Sequence, residues 1–153
     1  MKFIPKIELI RRLNIIYDQI PSFDCRHCQQ CSSPIIWLKP EEINIKEYLK
    51  KYHLQYLTLS DEEFQKNNLR CPYQQHNRCI IYPVRPLVCR LQGLIPDLPC
   101  QYNNTKLLSK EKYRFLIDEL NKLNTEIHGE YELFSTRMAL NSNFVNCQKP
   151  ILF

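Results

Sequence analysis

Eight cysteines constrain this chain of 153 residues more strongly than any other feature of its sequence. Seven of them fall into two runs, and the eighth, Cys147, stands apart from both. The first run is Cys25, Cys28 and Cys31, and the second is Cys71, Cys79, Cys89 and Cys100. Clustered cysteines form disulfides in an oxidising compartment, and bind metal or take part in catalysis in a reducing one. The predicted compartment therefore decides how they are interpreted.

The N-terminal segment has no uninterrupted apolar stretch of signal-peptide length. Charged side chains interrupt it at Lys6, Glu8, Arg11 and Arg12. No part of the chain approaches the roughly 18 consecutive apolar residues of a membrane span. We therefore predict a cytoplasmic protein without a membrane segment, whose thiols bind metal rather than form a disulfide framework.

The two glycines of the chain, Gly93 and Gly129, exclude two classes of nucleotide-binding site. Neither the GxxxxGK[ST] loop nor the GxGxxG turn can be built from them. The net charge is +5, but charged residues of both signs are interleaved and form no long basic run. Charge alone therefore gives no reason to expect a nucleic-acid partner, and a protein partner stays open.

Apolar spacing and helix-end signals predict four helices. They cover residues 6–20, Pro40 to about Tyr52, 110 to about 127 behind a cap at Ser109, and 130–141. Glu41 and Glu42 lie in the first turn of the second helix, where acidic side chains complement the helix dipole. The segment 53–60 gives a modest strand signal. Residues 61–70 read as a polar, mobile connection, and 71–90 as a loop, a short strand and a turn of helix.

These elements predict a mainly α fold with short β segments, a small α+β protein. The helices form a scaffold around a cysteine-rich metal-binding centre. We expect a single domain over residues 1–153, with its motif region at 25–100 and C-terminal helices within 105–141. Pro86 is placed where a short helix could start, which would direct Cys89 inward one turn later.

The spacing of the first run indicates which metal centre it could bind. One Cys-x₂-Cys pair is a common zinc knuckle. Three thiols at two-residue gaps, with a fourth elsewhere, match the spacing that wraps three corners of an iron–sulfur cube. Thiolate ligands suit zinc, iron and iron–sulfur clusters, and exclude magnesium or calcium. The sequence therefore favours a [4Fe–4S] cluster, with zinc or mononuclear iron as the alternative.

The two runs together resemble the YkgJ-type cysteine-cluster family, CxxCxxCC domains associated with zinc or iron chelation. The residues that carry the resemblance are Cys25, Cys28, Cys31, Cys71, Pro72, Cys79, Tyr82, Arg85, Pro86, Cys89 and Arg90. The sequence departs from the family pattern at Ser32, where the family usually has a second cysteine. The resemblance implies a cysteine-bound metal or iron–sulfur centre without implying a reaction.

Ligand counting leaves the number of sites open. The predicted metal ligands are Cys25, Cys28, Cys31, Cys71, Cys79, Cys89 and Cys100. Four ligands complete one site, so seven are more than one site needs and fewer than two all-cysteine sites require. A histidine, water or oxygen ligand, including Ser32, could complete a second site, and Cys147 is as well explained as a small buried hydrophobe.

The remaining polar residues near the cysteines have two readings each. His27 and His76 could be ligands, but nothing beyond their proximity in sequence supports this. Arg85 and Arg90 could offset the negative charge of a thiolate centre, or Arg85 could pair with a helix carboxylate such as Glu42. Tyr82 and Trp37 are expected to pack.

No catalytic constellation can be recognised, since HExxH, GxSxG and a protease-like Cys/His pair are all missing from the sequence. We therefore lean against an enzyme. The favoured function is a metal-binding protein for electron transfer, metal handling or service to a modifying enzyme. The alternatives are a zinc-stapled interaction module, which could bind nucleic acid, and a small metal-dependent modifying enzyme.

Overall fold

The computed structural model describes residues 4–22, 25, 37–57, 60–68, 70–102 and 107–128. Over these ranges the protein has five α-helices and one two-stranded sheet. The helices are α1 (Lys6–Tyr17), α2 (Lys39–Lys51), α3 (Asp61–Lys66), α4 (Leu87–Leu91) and α5 (Lys110–His128), the strands are β1 (Gln74–Gln75) and β2 (Arg78–Cys79), and a 3-10 turn covers Tyr82–Val84. The predicted mainly α fold with short β segments is confirmed.

Helices α1 and α5 lie side by side in opposite directions. Arg12 in α1 forms a bidentate salt bridge to Glu126 near the end of α5, with 2.7 Å from Nη1 to Oε2. At the other end, Lys112 donates to Gln19 Oε1 at 2.7 Å. Helix α2 packs against both. The described helices therefore form a three-helix scaffold, and none of them is long and apolar enough to cross a membrane.

Helix α5 begins where the sequence predicted. The Ser109 hydroxyl accepts the Lys112 N–H at 3.2 Å, which satisfies one of the donors that every helix leaves exposed in its first turn. Its apolar stripe turns inward, with Leu116 and Leu120 fully buried. The further helix predicted over 130–141 lies outside the described residues.

Helix α3 corrects the prediction of an irregular connection at 61–70. The Ser60 hydroxyl accepts the Glu63 N–H, and the Glu63 carboxylate accepts the Ser60 N–H at 2.8 Å. This reciprocal pair is a capping box, which nucleates a short helix even in a polar segment. Residues 54–57 are irregular, so the strand signal there was wrong over the part of 53–60 that the structure describes.

The described side chains form two apolar clusters. The larger one, the helical cluster, contains buried residues of α1, α4, α5 and the segments that join them: Leu9, Leu13, Ile16, Tyr17, Leu38, Leu87, Val88, Leu91, Leu94, Ile95, Leu98, Leu108, Tyr113, Leu116, Leu120 and Leu123. The smaller one, the hairpin cluster, contains Ile45, Leu49, Cys71, Tyr73 and Ile81. Trp37 packs against the hairpin cluster, as expected, with its ring 6.1 Å from that of Tyr73.

Candidate metal centre

A β-hairpin holds the first two cysteines of the second run. Strands β1 and β2 pair antiparallel, with Gln74 opposite Cys79. The two turn residues, His76 and Asn77, have φ angles of 48° and 62°. Positive φ at both central positions is the geometry of a type I′ turn, whose twist matches that of the strands it joins. His76, one of the two candidate histidine ligands, is therefore exposed at the tip of the hairpin.

Tyr73 anchors this hairpin to the scaffold. Its side chain is fully buried, and its hydroxyl accepts the Leu57 N–H at 2.9 Å and donates to the Leu57 carbonyl at 3.1 Å. The Ile80 N–H donates to the Tyr73 carbonyl at 2.9 Å, which closes the hairpin beyond its strands. Cys71, 6% exposed, packs in the same cluster, so its thiol is held in a fixed position.

Cys79 lies close to the start of the first cysteine run. Burial raises the pKa of the Cys79 thiol, while a hydrogen bond from the Ile81 backbone and the charge of Arg85 lower it. The charge of Cys25 raises the same pKa further, so the two sulfurs lie within electrostatic range of each other. The fold therefore brings Cys25 to the hairpin, across more than 50 residues of sequence.

Cys89 lies on α4, at the edge of the helical cluster. The prediction that a short helix starts at Pro86 is confirmed. The next residue after Cys89, Arg90, folds back on the loop before it, donating to the Arg85 carbonyl at 2.9 Å and the Pro83 carbonyl at 2.8 Å. Its guanidinium also lies 3.9 Å from the centroid of the Tyr17 ring. These contacts fix the turn that presents Cys89.

The alternative in which Arg85 pairs with Glu42 is wrong. Glu42 forms salt bridges to Lys39, at 2.8 Å, and to Lys46, because these lysines lie one turn away on the same helix. Arg85 instead donates to the Tyr82 carbonyl at 3.0 Å and lies over the Tyr82 ring at 3.8 Å. Tyr82 was expected to pack in the interior, but it is exposed and lies under that guanidinium.

Cys100 is half-buried at the end of a short bridge between Ile95 and Leu98. The Gly93 N–H donates to the Leu98 carbonyl at 2.6 Å, and the Gln92 amide donates to the Pro99 carbonyl at 2.8 Å. Gly93 has a φ of 80°, which glycine adopts at no steric cost. The backbone that leads to Cys100 is thus tightly turned.

The described part of the chain includes five of the seven predicted ligands. Its five cysteines are thiols: Cys25, Cys71, Cys79, Cys89 and Cys100. Among the described residues, no three Cys, His, Asp or Glu side chains converge as a complete metal site would require. The other candidate ligands, Cys28, Cys31, His27, Ser32 and Cys147, lie outside those residues.

The donor chemistry of the described cysteines fits zinc or iron. Soft thiolates select zinc, iron and iron–sulfur clusters over magnesium and calcium. The guanidinium groups of Arg85 and Arg90 lie within electrostatic range of Cys79 and Cys89, respectively. Cations beside a thiolate site offset its negative charge and stabilise the deprotonated ligands.

Sequence reasoning missed one functional candidate, Glu41. It was expected to complement the dipole of α2, yet its carboxyl group is fully buried. The Leu87 N–H donates to Oε1 at 2.7 Å, the Tyr17 hydroxyl donates to Oε1 at 2.9 Å, and the Leu38 N–H donates to Oε2 at 2.9 Å. No local signal distinguishes Glu41 from the neighbouring Glu42, because the difference lies in what packs over the helix.

A protein-family model described as "CxxCxxCC: Putative zinc- or iron-chelating domain" matches residues 24–119. This span is well over half of the chain and contains every cysteine of the two runs. It also contains the hairpin, α4 and Glu41, so the match covers the elements that hold the described thiols. No curated protein and no solved structure matches the chain.

Proposed function

The chain belongs to the CxxCxxCC family of zinc- or iron-chelating domains, and we propose that its two cysteine runs together bind a [4Fe–4S] cluster. One observation carries the proposal. Cys25 of the first run lies within electrostatic range of Cys79 of the second. A centre that drew on both runs would require such an approach. The first run has three cysteines and the hairpin holds two, so neither supplies four ligands alone.

The ligand set proposed is the first run with thiols of the second. Cys25, Cys28 and Cys31 have the two-residue gaps typical of cluster ligands, and one remote thiol completes the four that a cluster needs. A cluster would supply one-electron redox chemistry at this place. Cys79 and Cys89 are candidates for the remote ligand, since each lies within electrostatic range of an arginine.

Two arginines near the second run would offset the charge of a metal-bound thiolate centre. A four-thiolate site holding Zn²⁺ or a [4Fe–4S]²⁺ core carries a net charge of −2, which costs free energy in a half-buried place unless cations compensate it. Arg85 and Arg90 are positioned to do so. Such a centre suits electron transfer, metal handling or service to a modifying enzyme.

A structural zinc site is the second candidate, and the size of the hairpin cluster favours it. Only five buried side chains hold the hairpin among the described residues, and small units of this kind are commonly stabilised by a metal. In that case the thiols of the two runs would hold the hairpin against the scaffold. The domain would then be an interaction module.

Metal analysis of anaerobically purified full-length protein separates the two. The cluster predicts brown protein with absorbance near ~400 nm and stoichiometric iron and acid-labile sulfide. Colourless protein with bound zinc and no sulfide would overturn the cluster and support the zinc site. Protein that binds neither metal, even after reconstitution, would overturn both.

Cysteine substitutions test the ligand assignment. Cys28→Ala and Cys89→Ala should each reduce metal occupancy sharply, because each removes a ligand from a different run. Cys147→Ala, which changes a cysteine outside both runs, is the matched control and should keep the metal content of the unchanged protein. Full occupancy in both ligand variants would show that the two runs do not share a centre.

A further inference from the structure

The buried carboxylate of Glu41 joins three parts of the fold. It extends from the first turn of α2, where its Oε2 accepts the Leu38 N–H. Its Oε1 accepts both the Tyr17 hydroxyl at the end of α1 and the Leu87 N–H at the start of α4. A buried carboxyl group is costly unless its oxygens are hydrogen-bonded, and here each oxygen has a donor.

Of these three bonds, only the one from the Leu87 N–H involves α4, the helix that carries Cys89. Leu87 is the first residue of α4, and Cys89 lies two residues later in the same turn. Since α4 is just five residues long, the backbone bond at its first residue helps to fix where the whole turn lies. The side chains of Leu87 and Leu91 fix its depth in the helical cluster, and the Leu87 N–H bond fixes its position along α2.

Arg90 completes the arrangement on the other side of Cys89. Its guanidinium lies over the ring of Tyr17, the same residue whose hydroxyl binds Glu41. Cys89 is therefore held between two contacts that converge on Tyr17 and Glu41. Cys71 belongs instead to the hairpin cluster, and Cys79 packs against it.

We propose that Glu41 is a positioning residue that holds Cys89 in place for metal binding. The inference rests on the proposed function in so far as Cys89 is a ligand. It goes beyond it by assigning a role to a carboxylate outside the cysteine motif. Ordered outer groups of this kind orient metal ligands and improve affinity.

The substitution Glu41→Gln tests the role because it keeps the shape of the side chain. The carboxylate accepts from donors on both oxygens, whereas an amide has one acceptor oxygen and one NH₂ group. With the NH₂ group toward Leu38, the amide oxygen can still accept from Leu87 and Tyr17, but a neutral oxygen is a weaker acceptor than a carboxylate. The Leu87 bond should weaken, and α4 should move away from its position.

The measurement is the rate of thiol alkylation at each cysteine, followed by mass spectrometry on full-length protein with and without Zn²⁺. In Glu41→Gln, Cys89 should react about tenfold faster than in the unchanged protein, from the usual worth of a hydrogen bond to a charged group. The ratio of the Cys89 alkylation rate to the Cys71 alkylation rate should also rise about tenfold. Zn²⁺ should protect Cys89 less well in the variant.

The matched control is Tyr17→Phe, which removes one hydrogen bond from Glu41 and leaves the Leu87 bond intact. It should lower stability without changing the Cys89 to Cys71 ratio. Where Glu41→Gln does not fold, Glu41→Asp gives the same comparison, since its shorter carboxylate keeps the charge but withdraws from Leu87. An unchanged ratio in the variant that folds would overturn the proposal, because general destabilisation exposes both thiols together.

The outcomes also separate this inference from the proposed function. Failure of the unchanged protein to bind iron or Zn²⁺ would overturn the metal centre. Zn²⁺ that protects Cys71 but not Cys89 would remove Cys89 from the ligand set, and with it the role of Glu41 in metal binding. A ratio that stays constant while Zn²⁺ protects both thiols would overturn the role of Glu41 alone.

Discussion

The helical cluster and the hairpin cluster differ in how they are stabilised. The helical cluster contains sixteen of the described buried apolar side chains, from helices that cross the whole fold. The hairpin cluster contains five, one of which is a cysteine. Burial of apolar surface contributes about 25 cal/mol per Å², so the larger cluster supplies most of the free energy of folding.

This difference assigns the two regions different tasks. The helical cluster has the larger set of buried side chains, so its stability should depend less on a bound group. The hairpin cluster contains Cys71, lies against Cys79 and depends on few apolar contacts. A metal bound at these thiols would therefore stabilise the hairpin most. Three experiments test this division.

Leu120→Ala should have the largest effect. Leu120 is fully buried in the helical cluster, and such a truncation lowers the free energy of unfolding by about 2–5 kcal/mol. Urea denaturation followed by circular dichroism measures it. Phe115→Ala on the same helix is the control, since that ring is 46% exposed and its loss should cost about 0.5 kcal/mol or less. Equal effects of the two would contradict the dominance of the helical cluster.

Metal removal should act mainly on the hairpin. A metal at 100 times its Kd contributes about 2.7 kcal/mol, so its loss should speed hydrogen exchange of the Ile80 amide about 100-fold. This amide bonds the Tyr73 carbonyl and reports on closure of the hairpin. The Leu120 amide in α5 should stay better protected than Ile80 in the metal-free protein. Equal protection of the two there would mean that both clusters open as one unit.

Tyr73→Phe should have the smallest effect of the three. Losing the hydroxyl leaves the Leu57 N–H and carbonyl without their partner, at a cost of about 1–3 kcal/mol in the free energy of unfolding. Tyr52→Phe is the control, because Tyr52 is 51% exposed. Thermal unfolding of both variants with Zn²⁺ present measures the difference. A Tyr73→Phe protein as stable as the control would show that Leu57 does not anchor the hairpin.

The helices could be predicted from the sequence because their signals are local. Leu9, Leu13 and Ile16 repeat at the spacing of one helix face, and Ser109 marks the start of α5. Helix α3 also had a local signal, the Ser60 to Glu63 capping box, but its polar composition hid it. The hairpin turn at His76 and Asn77 lacks the Asn-Gly pair that would have marked it.

The candidate centre could be predicted in its chemistry but not in its arrangement. Cysteine spacing and family resemblance name the thiols, because ligand identity is written into the motif. The approach of Cys25 to Cys79 depends on chain packing that no local pattern encodes. The same holds for Glu41, whose partners Tyr17 and Leu87 lie 24 and 46 residues away.

Helix α2 contacts both clusters, so its length cannot change without disturbing one of them. Leu38 and Glu41 serve the helical side, whereas Ile45 and Leu49, one and two turns later, serve the hairpin side. Each residue of an α-helix advances the phase by about 100°. One residue inserted after Ile43 would rotate the two halves out of register, so that either Glu41 loses α4 or the hairpin loses its support. Only a change in the length of α2 that restores the helical phase would keep both faces in register.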